Sequence, residues 1–286
     1  MASMTFSKKV IRATVTLDKS GMNNQKVFEG FATHVSISKT GGVDFAQCAI
    51  EIYGLTLDVM AQLTVLSFRP LGRRWNLLAI EAGESGGTLS SIFQGEVTSA
   101  YADLNGSSPV LKMEAKTGAY PILDPTPQYA VSGQQSADEV LQMLASQTGK
   151  TFKNEGVDAT LSDCVITGDP ITKMRAVADA VGADLIIDDD QIALVPRGKV
   201  RQAEGGIPVV SADTGMIGYP TFSGTGIQVS SYFRPDLRIG AAVRVSSIVP
   251  SASGVWKIVS LSHELSANNP NSGAWSTFFE GMWIDD

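Results

Sequence analysis

Short runs in which apolar and polar residues alternate dominate the first third of the chain. VIRATVTL (10–17), KVFEGFATHVSISK (26–39), AQCAIEIYGL (46–55), WNLLAIEAG (75–83), LSSIFQGEVTSAYADL (89–104) and PVLKMEA (109–115) are rich in β-branched and aromatic residues. A period of two sends successive side chains to opposite faces, so each run predicts a half-buried strand. KTGG (39–42), AGESGG (82–87) and LNGSSP (104–109) supply turns between them, at a spacing that fits a barrel or sandwich. One interruption has a different period. In LTLDVMAQLT (55–64), Leu55, Val59, Met60 and Leu63 recur at helical spacing and predict a short helix.

AYPILDPTPQYAVSGQ (119–134) carries Pro121, Pro125 and Pro127, which disfavour regular structure and mark a boundary. Helical signals follow. Ser136 with Glu139 reads as a capping box ahead of Val140, Leu141 and Leu144, with Gly149 placed to stop the helix. Asp169 then precedes Pro170, and Ile171, Met174, Val177, Ala178 and Val181 form the apolar stripe of a second helix ending at Gly182. DLIIDD and QIALVP predict a hairpin whose turn takes Asp188, Asp189 and Asp190 into solvent. Strands return in IPVVSA (207–212), GIQVSSYF (226–233), AAVRVSSIV (241–249), GVWKIVSLSHEL (254–265) and AWSTFFEGMWI (274–284). The expected organisation is β, then α/β, then β: residues 1–118, an insert over 119–200, and residues 201–286. The fold class is mainly β (α+β).

Composition narrows the function. The 286 residues are 43% hydrophobic and 18% charged, a balance that folds rather than stays disordered. A net charge of −7 disfavours a surface that grips phosphates, although like charge suits a wall past which nucleic acid slides. Cys48 and Cys164, the only cysteines, are far apart in sequence and read as two buried thiols. The N-terminal residues lack an apolar signal core and no run reaches membrane-spanning length, so folding in a cytoplasm is expected.

Candidate chemistry is sparse. His34 and His263, the only histidines, both fall in predicted strands without a companion ligand pattern. Ser36 and Lys39 match S-x-x-K, but alternation places them on opposite faces of a strand and removes the helical geometry an acyl-transfer site needs. Gly224 and Gly226 lack the third glycine and following helix of a dinucleotide site. No catalytic residue, metal ligand or cofactor site is assigned. A structural or interaction protein is the leading reading, with a peptidoglycan-degrading tail enzyme and a carbohydrate-binding β module as alternatives.

One tract is specific. IPVVSADTGMIGYPTFSGTGIQVSSYFRPDLRIGAAVRV, followed by GVWKIVSLSHELSANNPNSGAWSTFFEG, resembles the C-terminal part of baseplate hub proteins of contractile-tailed bacteriophages. The ordered features are a turn at 215–220, a strand, a corner at 233–240, and strands ending near Trp275 and Phe279. VFEGFATHVSISKTGGVDFAQCAIEIYGLTLDVMAQLT and NLLAIEAGESGGTLSSIFQGEV resemble the first hub barrel. The resemblance implies two tail-tube-like β-barrel domains per subunit, and a homotrimeric ring that joins the tail tube or its initiator to a central spike, contacts baseplate wedge proteins and passes DNA. It implies a location in the virion's tail baseplate after assembly in the host cytoplasm, with no membrane insertion. The shortness of the chain implies few outer decorations and no fused spike or lysozyme domain. Gly218, Tyr219, Pro220, Phe233, Pro235, Arg238 and Gly240 are the candidate assembly or turn residues. Glu29, Asp44, Glu51 and Asp213 are candidates for an acidic channel wall.

Overall fold

A computed structural model of the protein describes residues 7–17, 25–41, 45–64, 76–119, 126–189, 191–202, 205–270 and 273–284. Pro121, Pro125, Asp190, Asp44 and Trp75 therefore lie outside the described residues. The fold is mainly β, with three α-helices among the described residues. By packing, the chain divides into two units.

The first unit takes Met1–Ile37, Gln47–Lys116 and His263–Ser276. Its strands are β1 (Lys9–Thr16), β2 (Gln25–Glu29), the start of β3 (Thr33–Thr40), β4 (Gln47–Tyr53), β5 (Leu77–Glu84), β6 (Ser90–Asp103) and β7 (Val110–Lys116). They lie in the order β3-β4-β7-β6-β5-β1-β2. The alternation predicted from sequence becomes burial on one face: Ile11, Ala13 and Val15 in β1, Cys48, Ile50 and Ile52 in β4, and Leu78, Ile80 and Ala82 in β5. Each large apolar side chain so buried contributes about 1.5–3 kcal/mol. The short helix α1 (Leu57–Leu63) adds buried Met60 and Leu63, and Thr56 caps it by accepting from the Val59 N–H. It occupies the stretch whose spacing predicted it.

The second unit takes Ser38–Ala46, Thr117–Ser262 and Thr277–Asp286. It opens with β8 (Tyr129–Ser136), α2 (Ala137–Thr148), β9 (Thr151–Asn154), β10 (Thr160–Ile166), α3 (Pro170–Ala180), β11 (Ala183–Asp188) and β12 (Gln191–Pro196). β13 (Val209–Val210), β14 (Met216–Phe222), β15 (Gly226–Tyr232), β16 (Ala242–Val245), β17 (Gly254–Ala267) and β18 (Trp275–Trp283) follow, the last two also supplying residues to the first unit. Here the strand order is β14-β15-β18-β17, with β16 antiparallel to β17 and β13 parallel to β16.

Period-two burial lets the β11–β12 hairpin serve two cores at once. Leu185, Ile187, Ile192 and Leu194 pack with Val140, Leu141, Leu144, Ile171, Met174 and Val177 of the helices. Ile186, Ala193 and Val195, on the other face, pack with Val229, Leu237, Ile239, Val243, Ile258 and Phe279.

Three local expectations are corrected. Residues 129–134, the end of the stretch whose prolines 121, 125 and 127 read as a boundary, belong to β8, paired with β10 across a bulge where Gly133 is at φ +74° and donates to Asp163 Oδ1 at 2.7 Å. Ser136 makes no side-chain cap. Because β8 runs directly into α2, the Ala137 N–H bonds the Ala159 carbonyl instead. Cys48 is buried as expected, but Cys164 is only half-buried.

Asp169 does cap α3: it accepts from the Thr172 N–H at 3.0 Å, and Pro170 occupies the first helical turn. Asp169→Ala is therefore expected to cost about 1 kcal/mol, whereas Ser136→Ala should change stability by no more than a few tenths. Paired urea titrations would check this; equal losses would contradict the difference in capping.

Candidate assembly surface

The tract at 207–240 belongs wholly to the second unit. A 3₁₀ turn over Ala212–Thr214 ends at Gly215, whose φ of +101° reverses the chain. The predicted turn at 215–220 is otherwise a strand. β14 pairs with β15 at Met216–Ser231 and Ile217–Ser230, slips, and resumes at Thr221–Gln228. Gly218 at φ +70°, Tyr219 and Pro220 fill the slip. A left-handed glycine and a proline read as turn signals, but here they build a bulge inside a ladder.

β14 is the outermost strand of its sheet. Pro220 offers no N–H and the bulge twists the edge, two features that blunt an edge against indiscriminate strand pairing. The side chains remain available: Ile217 is 43% exposed, Tyr219 66%, Phe222 57% and Tyr232 65%, while Pro220 is buried. What this edge offers is exposed side chains on a strand whose backbone is interrupted at Pro220. The aromatics do not form a flat sugar platform. Phe222 stands opposite Ile227, on the face that carries buried Val229, whereas Tyr232 projects from the other face.

The corner at 233–240 is fixed by charge. Arg234 grips Asp236 with Nε at 2.8 Å and Nη2 at 2.6 Å, and its Nη1 donates to the Val209 carbonyl at 2.9 Å. Burial pushes the Asp236 carboxyl up, but the hydrogen bonds and charge of Arg234 outweigh it and hold the group below the usual carboxylate range. Phe233 and Pro235 are half-buried beside this clamp. Gly240 sits at φ +77°, where a Cβ would lie 2.3 Å from Ile186 Cδ1.

Arg238 leads to a feature the sequence concealed. Asp188 and Asp189, read as a solvated turn, are 3% and 4% exposed. Lys39 Nζ donates to Asp188 Oδ1 at 2.9 Å and to Asp189 Oδ2 at 2.7 Å. Arg201 Nη1 donates to Asp188 Oδ2 at 2.9 Å, and Arg238 Nη1 lies 3.5 Å from Asp189 Oδ2. Burial opposes ionisation of Asp188, yet Lys39 and Arg201 hold its carboxyl far below the ordinary range. Burial and the neighbouring Asp188 charge push Asp189 up. The turn is solvated in most hairpins because nothing covers it; here Lys39, Arg201 and Arg238 do, and Lys150 Nζ donates to the Asp189 carbonyl at 2.6 Å.

In the first unit the structure brings the imidazole of His34, on β3, to a hydroxyl and a carboxylate two residues apart on β17. His34 Nδ1 lies 3.0 Å from Ser266 Oγ, and its Nε2 lies 3.5 Å from Glu264 Oε2. Ser36 donates to the other Glu264 oxygen at 2.5 Å. Ser266 is 7% exposed, and a Cβ on Gly273 would fall 2.5 Å from its hydroxyl oxygen, so the Gly273 backbone packs close against it. These contacts link β3 to β17. Ser36 and Lys39 lie on one strand and share no partner, as expected from alternation.

Of the acidic wall candidates, Glu29 pairs with Arg12 at 2.7 Å, Glu51 accepts from Tyr53 Oη at 2.9 Å, and Asp213 is exposed. No helix among the described residues is long and apolar enough to cross a membrane.

The fold has close counterparts among solved structures despite low identity. A tail protein from Neisseria meningitidis MC58 matches with a TM-score of 0.64 at 10% identity, covering 95% of this chain and 96% of that one. The 43 kDa tail protein of prophage MuSo2 from Shewanella oneidensis gives 0.65 at 11% identity, with 98% and 97% covered. The E. coli c3393 protein, a type VI secretion component with structural similarity to phage tail proteins gp27 and gp5, gives 0.59 at 8% identity, with 90% and 74% covered. No curated protein matches by sequence. A family model described as baseplate hub gp41 matches residues 10–271, nearly the whole chain. A structural role in a phage tail baseplate follows, and the chain belongs to the baseplate hub gp41 family.

Proposed function

We propose that three copies of this chain form a hub ring that joins the sixfold tail tube to the threefold central spike and guides DNA between them. The family match over residues 10–271 carries this reading. In it, residues 1–118 and 201–286 act as two tail-tube-like β-barrel domains per subunit, giving six similar modules around the ring, and residues 119–200 form an insert on its outside. Partners are further copies of the chain, the tube or tube-initiator protein, the spike and the baseplate wedges. The tail is contractile, the ring assembles in the host cytoplasm, and DNA meets it only in passage during ejection.

The exposed residues of β14 and β15, with the corner at 233–240, supply contacts between subunits in this scheme. Gly218 and Pro220 set the bulge that presents Tyr219, and the Arg234–Asp236 clamp holds the segment leading into β14. The net charge of −7 supports a channel wall that does not bind phosphates.

Copy number tests the proposal. Native mass measurement of purified tails, calibrated by quantitative peptide counting, is expected to give three copies per tail. Two or six copies would overturn the ring.

A further inference from the structure

The small sheet β11-β12-β9 ends on an open edge. β11 is its outermost strand, and among the described residues no strand lies beyond it. The far side of β12 fixes which groups face that edge. The Leu194 carbonyl accepts from the Glu155 N–H at 2.8 Å and the Pro196 carbonyl from the Lys199 N–H at 3.0 Å, so both residues turn their backbone groups away from β11. Leu194 stands opposite Leu185 and Pro196 opposite Ala183, which makes these the pairs that exchange no ladder bonds. The N–H and C=O of Ala183 and Leu185 therefore point out along the open edge, and no described group of the chain bonds them there.

Both residues are nonetheless covered, Ala183 at 3% and Leu185 at 8% exposure. A cavity of about 330 Å³ lies against residues 183–186, within the second unit. Ala178 and Asp179 of α3 line it on one side, Ile258 and Val259 of β17 on another. Its charges are balanced. Lys257 Nζ donates to Asp184 Oδ2 at 3.2 Å, and Arg175, whose guanidinium lies 5.0 Å over the Phe45 ring, is matched in number by Asp179. The rest of the wall is apolar side chain or glycine.

We propose that this slot binds an extended peptide segment as a fourth strand beside β11, and that the segment is an arm of a different tail protein. Backbone groups withheld from bulk water require hydrogen-bonding partners, and an apolar wall holds water poorly. An acyl chain would leave the Leu185 N–H and C=O unmet, while an ion or a sugar would face mostly apolar surface. Extended backbone satisfies both demands: it bonds alternate residues of β11 while uncharged side chains cover the wall. At about 3.4 Å per residue, the edge from Ala183 to Ile186 takes roughly three to four small residues. The same edge selects the source. Every described strand of this chain already pairs with another, so the described residues of a second copy supply no unpaired strand, and a strand that kept its own neighbour would run into β17. The slot is complete in one chain, so it stands apart from the number of copies in the ring.

Hydrogen exchange on the purified chain and on assembled tails tests the proposal. In the purified chain the Leu185 amide is expected to exchange at least tenfold faster than those of Asp184 and Ile186, which the ladder with β12 holds. In tails it is expected to slow at least tenfold. Equal rates at the three positions in the purified chain would show a closed edge, and an unchanged Leu185 rate in tails would show an empty slot; either overturns the proposal. Asp179→benzoylphenylalanine places a photo-crosslinker at the rim, where the side chain is 79% exposed. In tails it is expected to join one contiguous segment of another tail protein, identified by mass spectrometry of the joined peptides. Adducts only with copies of this chain, or none, would overturn the proposal; if that variant misfolds, exchange on unmodified tails decides. Two or six copies per tail would overturn the ring and leave this proposal standing.

Discussion

Lys39→Met is expected to destabilise the folded chain by about 3–5 kcal/mol, the range for removing one partner from a buried ion pair. Lys39 is the cation that both buried aspartates share, at 2.9 and 2.7 Å, and its side chain is 4% exposed. Methionine fills similar volume, so the loss isolates charge from packing. Arg201 and Arg238 stay near Asp188, and Arg238, 44% exposed, stays beside Asp189. Lys39→Met combined with Asp189→Asn should recover much of the stability, because the orphaned carboxylate goes with its partner. Guanidinium titrations of the two variants would measure this. A loss below 1 kcal/mol for Lys39→Met would show that the cluster is not a keystone.

The same cluster sets a sign for pH. Burial works against the Lys39 ammonium, but Asp188 and Asp189 outweigh it and hold its pKa above the ordinary value. Its contribution is thus fully present below about pH 10.4 and lost as pH rises through the raised value. Asp188, held low, contributes above about pH 3.9 and loses that contribution as pH falls through its depressed value. Asp189, pushed up, works the other way: its protonated form suits the fold better, which subtracts from stability once pH exceeds the ordinary carboxylate range.

Periodicity made most elements legible. Val10–Leu17 became β1, and the stripe from Ile171 to Val177 became α3, because burial on one face leaves a period of 2 or 3.6 in the residue order. What escaped was set by partners distant in sequence. Asp188 and Asp189 carry a turn signature, and nothing local announces that Lys39, about 150 residues earlier, covers them. Pro121, Pro125 and Pro127 marked a boundary that disguised β8, whose pairing with β10 is a long-range fact. The aromatics of 215–233 were visible as candidates for contact, but their exposure was not. Pro220 is buried and Tyr219 beside it is exposed because a bulge breaks the alternation there.

Glycines offer the sharpest remaining contrast. Gly226→Ala is expected to cost about 3 kcal/mol or more, since it combines backbone strain with overpacking. Gly226 is at φ +152°, and an added Cβ would lie 2.1 Å from the Gly281 carbonyl oxygen, a backbone atom that cannot rotate aside. Relief requires β15 to move from β18, whose buried Phe279 shares a core with Ile227 and Val229. Gly218→Ala meets no atom within 4 Å but keeps φ +70°, so its cost should be the left-handed penalty alone, about 1–2 kcal/mol. Gly224→Ala meets neither obstacle and should be neutral or slightly stabilising, because alanine restricts the unfolded chain. The expected order of melting temperatures is Gly224→Ala highest, then Gly218→Ala, then Gly226→Ala. If Gly226→Ala melted with Gly224→Ala, the close approach of β15 to β18 would not be a feature of the protein in solution.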